Sequence, residues 1–143
     1  MIARVFVETN ILLYAHDTQA GVKHKLAAAA LQTLWRDGSG CLSTQVLQEF
    51  YVNVTKKLAR PVSAAAAREI VRNYAIWVRQ PLTPTTVLRA SEIGEAYRLS
   101  FWDSLILAAA EQEGAAVLLS EDLSHGQTIS GIRVTNPFVA ADR

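Results

Sequence analysis

The apolar positions of this chain switch repeatedly between a strand period and a helix period, the pattern of an alternating α/β fold. Val5, Phe6 and Val7 form a short apolar run, so Arg4 to Val7 is expected to be the first strand. It breaks at Glu8-Thr9-Asn10, after which Ile11 to His16 has the spacing of a short helix. Lys23 to Arg36 reads as a longer helix with Leu26, Leu31 and Leu34 facing inward, ended by Asp37-Gly38-Ser39-Gly40. Cys41 to Ser43 is the expected second strand. Thr44 is expected to cap a helix running to about Leu58, in which Val46, Leu47, Phe50 and Val54 recur at helical spacing.

Beyond Arg60-Pro61, Ser63 is placed to cap an Ala-rich helix continuing through Ile70 and Tyr74 to Trp77. Two prolines in Gln80-Pro81-Leu82-Thr83-Pro84 interrupt it. Thr85 to Tyr97 is another expected helix, and Ser100 introduces the most apolar one, Trp102 to Glu111. Ala116-Val117-Leu118-Leu119 is a continuous apolar run suited to a strand covered on both faces, and Ile132 to Val134 is the expected last strand. There is no internal repeat, linker or low-complexity tract.

With 143 residues, half of them hydrophobic, one compact core and one domain over 1–143 are expected. No run approaches the roughly 20 uncharged apolar residues of a membrane span. The N-terminus lacks a basic region followed by an apolar one, so a cytoplasmic location is expected. Cys41 is the only cysteine, which rules out an internal disulfide and suits a small buried hydrophobe.

Four acids stand where chemistry would need them. Glu8 ends the first strand, Glu49 lies early in its helix, Asp103 falls in a first helical turn, and Asp122 follows the apolar run through Ser120-Glu121. Each has an ordinary explanation: Glu8 as a surface acid in a turn, Glu49 as a solvent-facing helical Glu, Asp103 as part of a capping box with Ser100, Asp122 as part of an acidic turn. Together they differ, because in a parallel sheet strand ends and helix starts share one edge. Carboxylates gathered there repel one another and lose hydration unless a divalent cation lies between them. The formal charge of +1 then divides unevenly: setting the four acids aside leaves 14 basic residues against 9 acidic ones, a surface that attracts a polyanion.

Four blocks in order, Phe6-Val7-Glu8-Thr9-Asn10-Ile11-Leu12-Leu13-Tyr14-Ala15, Ser43-Thr44-Gln45-Val46-Leu47-Gln48-Glu49-Phe50-Tyr51, Leu99-Ser100-Phe101-Trp102-Asp103-Ser104-Leu105-Ile106 and Leu118-Leu119-Ser120-Glu121-Asp122-Leu123, resemble the PIN-domain ribonucleases, specifically the VapC-type toxins of toxin-antitoxin pairs. The resemblance covers essentially the whole chain. It implies an α/β fold with a doubly wound parallel sheet of about four to five strands flanked by helices. It also implies an acidic cleft binding Mg²⁺ or Mn²⁺, cleavage of RNA to 5′-phosphate and 3′-hydroxyl ends, homodimers, and inhibition by a small antitoxin. Glu8 and Asp103 become the main metal-facing acids, Glu49 and Asp122 complete the charge and position water or a second ion, and Asn10 and Ser120 orient them. The family pattern has Asp where this chain has Glu8. The added methylene displaces the carboxylate by about 1.5 Å, against a tolerance of about 0.5 Å in such constellations. An error of about 1 Å costs about 10²-fold in rate, so an attenuated enzyme with an intact fold is expected.

Lys56, Lys57 and Arg60 form a basic cluster in which phosphate contact and simple attraction to a helix C-terminus weigh equally. Arg68 and Arg72 suit a solvated helix face, and His24 and His125 receive no role. Trp35 and Trp77 are expected to be buried in amphipathic helices. Two other readings of the acids exist. A binding module would keep the fold and the RNA or antitoxin surface while Glu8 abolishes turnover. A phosphorylated receiver domain would need a late lysine, and the last one here is Lys57.

Overall fold

The apolar run near the N-terminus forms β1 (Arg4–Val7), beside which the other strands assemble in the computed structural model, which describes residues 2–139. The chain then runs through α1 (Thr9–Ala15), α2 (Val22–Asp37), β2 (Gly40–Cys41), α3 (Thr44–Lys56), α4 (Ala64–Tyr74) with a 3₁₀ turn over Ala75–Trp77, α5 (Pro84–Tyr97), α6 (Phe101–Gln112), β3 (Ala115–Leu119), β4 (Thr128–Ile129) and β5 (Ile132–Thr135). The sheet order is β2-β1-β3-β5-β4, with every pair parallel except β4 with β5. This is the expected α/β architecture, five strands flanked by helices.

From β1 the chain winds outward to β2, then returns to place β3 on the other side of β1. The winding reverses there, and the carboxyl ends of β1 and β3 border the crevice that a doubly wound sheet leaves for ligands. Phe6, Val7, Leu118, Val134 and the helical Ile11, Leu12, Val46, Phe50 and Leu107 fill the core between sheet and helices, all essentially without solvent contact. Cys41 is buried among them, as expected.

Local chemistry sets the boundaries. Ser43, not Thr44, caps α3, its Oγ accepting from Val46 N; Ser43 has the extended backbone that a cap needs, whereas Thr44 is already helical. Ser63 caps α4 as expected. Thr83 and Thr86 form a reciprocal capping box for α5, and Pro84 takes its first position, where its missing N–H goes unneeded. Proline thus starts this helix one residue before the expected Thr85.

Three further expectations are corrected. Leu26 is exposed, and Ala27 takes the inward position of α2 with Leu31 and Leu34. The second strand lies at Gly40–Cys41 because Leu42 N already leaves the sheet to donate to Trp77 O. β3 is not covered throughout: Ala116 is exposed and Val117 half-buried near the amino-terminal rim, while Leu118 and Leu119 are buried. Trp77 is buried as expected, against Gly40, where an added Cβ would meet the indole at 2.7 Å. Trp35 stacks on Trp77 with ring centres 4.5 Å apart but keeps more than a third of its surface exposed. No helix among the described residues is long and apolar enough to cross a membrane.

Candidate active site

Because α1 and α3 leave the carboxyl ends of β1 and β2, their first turns lie at the crevice edge of the sheet. Helix α6 feeds back into the amino end of β3, so its own N-terminus lies at that same edge. This topology brings four segments distant in sequence to one cavity of about 270 Å³, lined by Glu8, Thr9, Asn10, Gln45, Glu49, Asn53, Trp102, Asp103, Ile106 and Asp122. All four acids singled out in the sequence line it.

Glu8 continues the β1 ladder through its N–H to Leu119 O at 3.0 Å, then caps α1 with backbone alone. Its side chain makes no capping bond and is 5% exposed. Ser120 Oγ donates to Glu8 Oε1 at 3.0 Å and accepts from the N–H groups of Asp122 and Leu123, a local turn that fixes both the hydroxyl and the path of Asp122. Asn10 Nδ2 donates to Asp122 Oδ2 at 3.0 Å. Asn10 and Ser120 therefore stand against the acids for which the sequence suggested them. Glu121 turns away, accepting from Tyr14 Oη and pairing with Lys23.

Glu49 is held from both sides: Thr9 Oγ1 donates to Oε1 at 2.5 Å and Gln45 Nε2 to Oε2 at 3.3 Å. Gln45 also donates to the carbonyl of Trp102 at 3.3 Å, which ties α3 to α6. Asp103 sits in the first turn of α6, where its N–H bonds to Ser100 Oγ at 3.1 Å. Thr9 and Gln45 were missed in the sequence, since nothing local marks a threonine or glutamine that meets a carboxylate across the fold. The basic cluster lies elsewhere. Lys56, Lys57 and Arg60 are exposed around the far end of α3, and none lines the cavity. Lys56 is seven residues past Glu49, about 10 Å along the helix axis.

Burial pushes the Glu8 carboxyl up to about 8 from an ordinary value of 4.5, helped by the adjacent Asp122 and, more distantly, by Asp103, while the Ser120 hydroxyl opposes the shift. Asp122, rather than Asp103, is thus the acid that presses hardest on Glu8. Among the described residues, no three of the His, Cys, Asp and Glu side chains stand close enough to hold a metal ion as they are. In this ion-free arrangement Glu8 lies against Asp122, while Glu49 is turned to Thr9 and Gln45, and Asp122 also accepts from Asn10.

The donor chemistry nevertheless fits a hard divalent cation, being entirely oxygen with up to four negative charges. A second observation agrees. Gln45 Oε1 is buried without a hydrogen-bond partner. Turning the amide over would set that oxygen against the Glu49 carboxylate and the Trp102 carbonyl, both acceptors, so the orphan is a genuine acceptor left without a donor on a residue that lines the cavity.

A family model described as PIN domain matches residues 5–128. The chain belongs to the PIN-domain family. Solved structures share this PIN fold over nearly the full length. A chain of a toxin-antitoxin complex from Klebsiella pneumoniae aligns with a TM-score of 0.64 and 20% identity, covering 94% of this chain and 98% of its own. A chain of VapBC2 from Rickettsia felis, bound to a promoter DNA fragment, aligns at 0.62 and 18%, covering 92% and 97%. Mycobacterium tuberculosis VapC20, described as a sarcin-ricin loop cleaving toxin, aligns at 0.58 and 19%, covering 82% and 89%. No curated protein matches the sequence.

Proposed function

We propose that this PIN domain is a metal-dependent endoribonuclease, the toxin of a toxin-antitoxin pair, acting in the cytoplasm as a homodimer built from one domain per chain. The observation that carries this reading is the meeting of Glu8, Glu49, Asp103 and Asp122, from four separate segments, around one cavity at the switch point of the sheet. The toxin-antitoxin origin of similarly folded chains supports the role and the partner.

Glu8 and Asp103 would hold Mg²⁺ or Mn²⁺, with Glu49 and Asp122 completing the charge. A bound ion would supply polarisation of the scissile phosphate and a lowered pKa for a water. The chain itself does the rest. Ser120 and Asn10 hold Glu8 and Asp122 in register, Thr9 and Gln45 hold Glu49, and a carboxylate oxygen of Glu49 takes the proton of the attacking water. Glu8, longer than the family's aspartate and with its carboxyl pushed up by burial, lowers turnover.

A second reading has its own support. Glu8 in place of the family's aspartate, with its carboxyl pushed up by burial, favours a PIN-like module that binds RNA or antitoxin without cleaving. The test is incubation of a panel of RNAs with Mg²⁺, Mn²⁺ or chelator. Cleavage leaving 5′-phosphate ends, dependent on metal and lost in Asp103→Asn, is expected. RNA or antitoxin binding with no cleavage by either the natural chain or Glu8→Asp would favour the binding module and overturn the nuclease.

A further inference from the structure

One apolar side chain stands out in an otherwise polar cleft. Of the residues lining the acidic cavity only Trp102 and Ile106 are apolar. Ile106 is 3% exposed, so it belongs to the core, whereas Trp102 is 64% exposed. Local structure holds it there. Its carbonyl is tied to Gln45 of α3, its neighbour Asp103 opens α6, and the Phe101 ring packs edge-on against the indole at 5.1 Å and 81°.

We propose that Trp102 is the platform on which a base of single-stranded RNA stacks beside the scissile phosphate. This rests on the nuclease reading of the cleft and adds how the substrate is held there. An indole offers a large π-face, and an unpaired base offers another; stacking of this kind tolerates any base. The surroundings favour a nucleobase over a protein partner. Aromatic anchors of protein interfaces sit within well-packed apolar pockets that exclude water, whereas this indole shares one cavity lining with Glu8, Asn10, Glu49, Asn53, Asp103 and Asp122. Double-stranded RNA hides its base faces, so the preference for single strands follows from the same geometry. Trp102 thereby positions RNA rather than taking part in bond cleavage.

The test is fluorescence anisotropy with labelled 12-mers of oligo(A), oligo(U) and oligo(C), and with strands carrying abasic sites, in Ca²⁺ to limit cleavage. Trp102→Ala should weaken binding to each ordinary strand by about 5- to 150-fold, the range for loss of one stacked base. Trp102→Phe should keep most of the affinity, and abasic strands should bind both Trp102→Ala and the natural chain equally weakly. Matching urea midpoints would show that the variants fold alike. If Trp102→Ala binds and cleaves RNA like the natural chain, the stacking role is overturned while the nuclease stands. A change of oligomeric state with unaltered RNA affinity would make Trp102 a protein contact and overturn the proposal too. If the natural chain neither binds nor cleaves RNA, the nuclease reading fails and the stacking role with it.

Discussion

Replacing Glu8 by Gln should stabilise the metal-free protein, and the gain should grow with pH. Glu8 is 5% exposed, faces Asp122 and is pushed up to about 8, whereas in the unfolded chain it returns to about 4.5. Between those values the folded protein retains a proton that the unfolded chain has released. Stability therefore falls as pH rises from about 4.5 to about 8 and is flat above, with a slope of at most about 1.4 kcal/mol per pH unit. The full gap corresponds to about 5 kcal/mol as an upper bound; relaxation and water entry around the carboxyl reduce it to about 2–3 kcal/mol. In a chain of this size that is about 4–12 °C in Tm. Gln keeps the neutral, hydrogen-bonding form at every pH. The assay is thermal or urea unfolding with chelator from pH 5 to 8.5. His16, whose pKa is held down by burial, acts in the opposite sense but is common to both proteins, so the difference isolates Glu8. Parallel stability curves for the natural chain and Glu8→Gln would refute the buried, proton-holding Glu8.

Other substitutions probe separate parts of the structure. Glu8→Asp should raise metal-dependent RNA cleavage by about 10-fold or more, towards the full 10² of a 1 Å correction; equal rates from both forms would show that Glu8 is not impaired. Gly40→Ala should destabilise the fold by about 1–3 kcal/mol in urea unfolding, because the new methyl meets the buried Trp77 ring at 2.7 Å; an unchanged midpoint would contradict that packing. Ser120→Ala should push the Glu8 pKa higher still, read by NMR titration, since the lost hydroxyl bond favours the charged form; a lowered value would reverse the assigned role of Ser120.

Most of the frame was legible because it depends on local pattern. β1 lies at Arg4–Val7 as the apolar run predicts, and the helices differ from expectation by a residue or two at their ends, except α4, which gives way to a 3₁₀ turn three residues before Trp77. β4 escaped notice because two residues, Thr128 and Ile129, carry no period and acquire their meaning by pairing with β5. Leu26 misled because an Ala-rich helix such as α2 has no sharp apolar stripe, so small Ala27 serves the inner side as well. At the site, which acids share the cavity followed from parallel-sheet topology and family blocks. How they are held did not: the Thr9–Glu49 and Asn10–Asp122 bonds join residues 40 and 112 positions apart, and no local spacing encodes them. The burial of Glu8 is likewise collective, set by β1, β3 and the Ser120 turn together.

The central claim is that the acids of this cavity draw together around one divalent cation, and a crystal soaked in Mn²⁺ tests it most directly. The expected result is an anomalous peak in the cavity bonded to carboxylate oxygens of Glu8 and Asp103, with Asp122 and Glu49 at hand to the ion or its waters. Side chains left as they stand, with no peak among them at millimolar Mn²⁺, would contradict it.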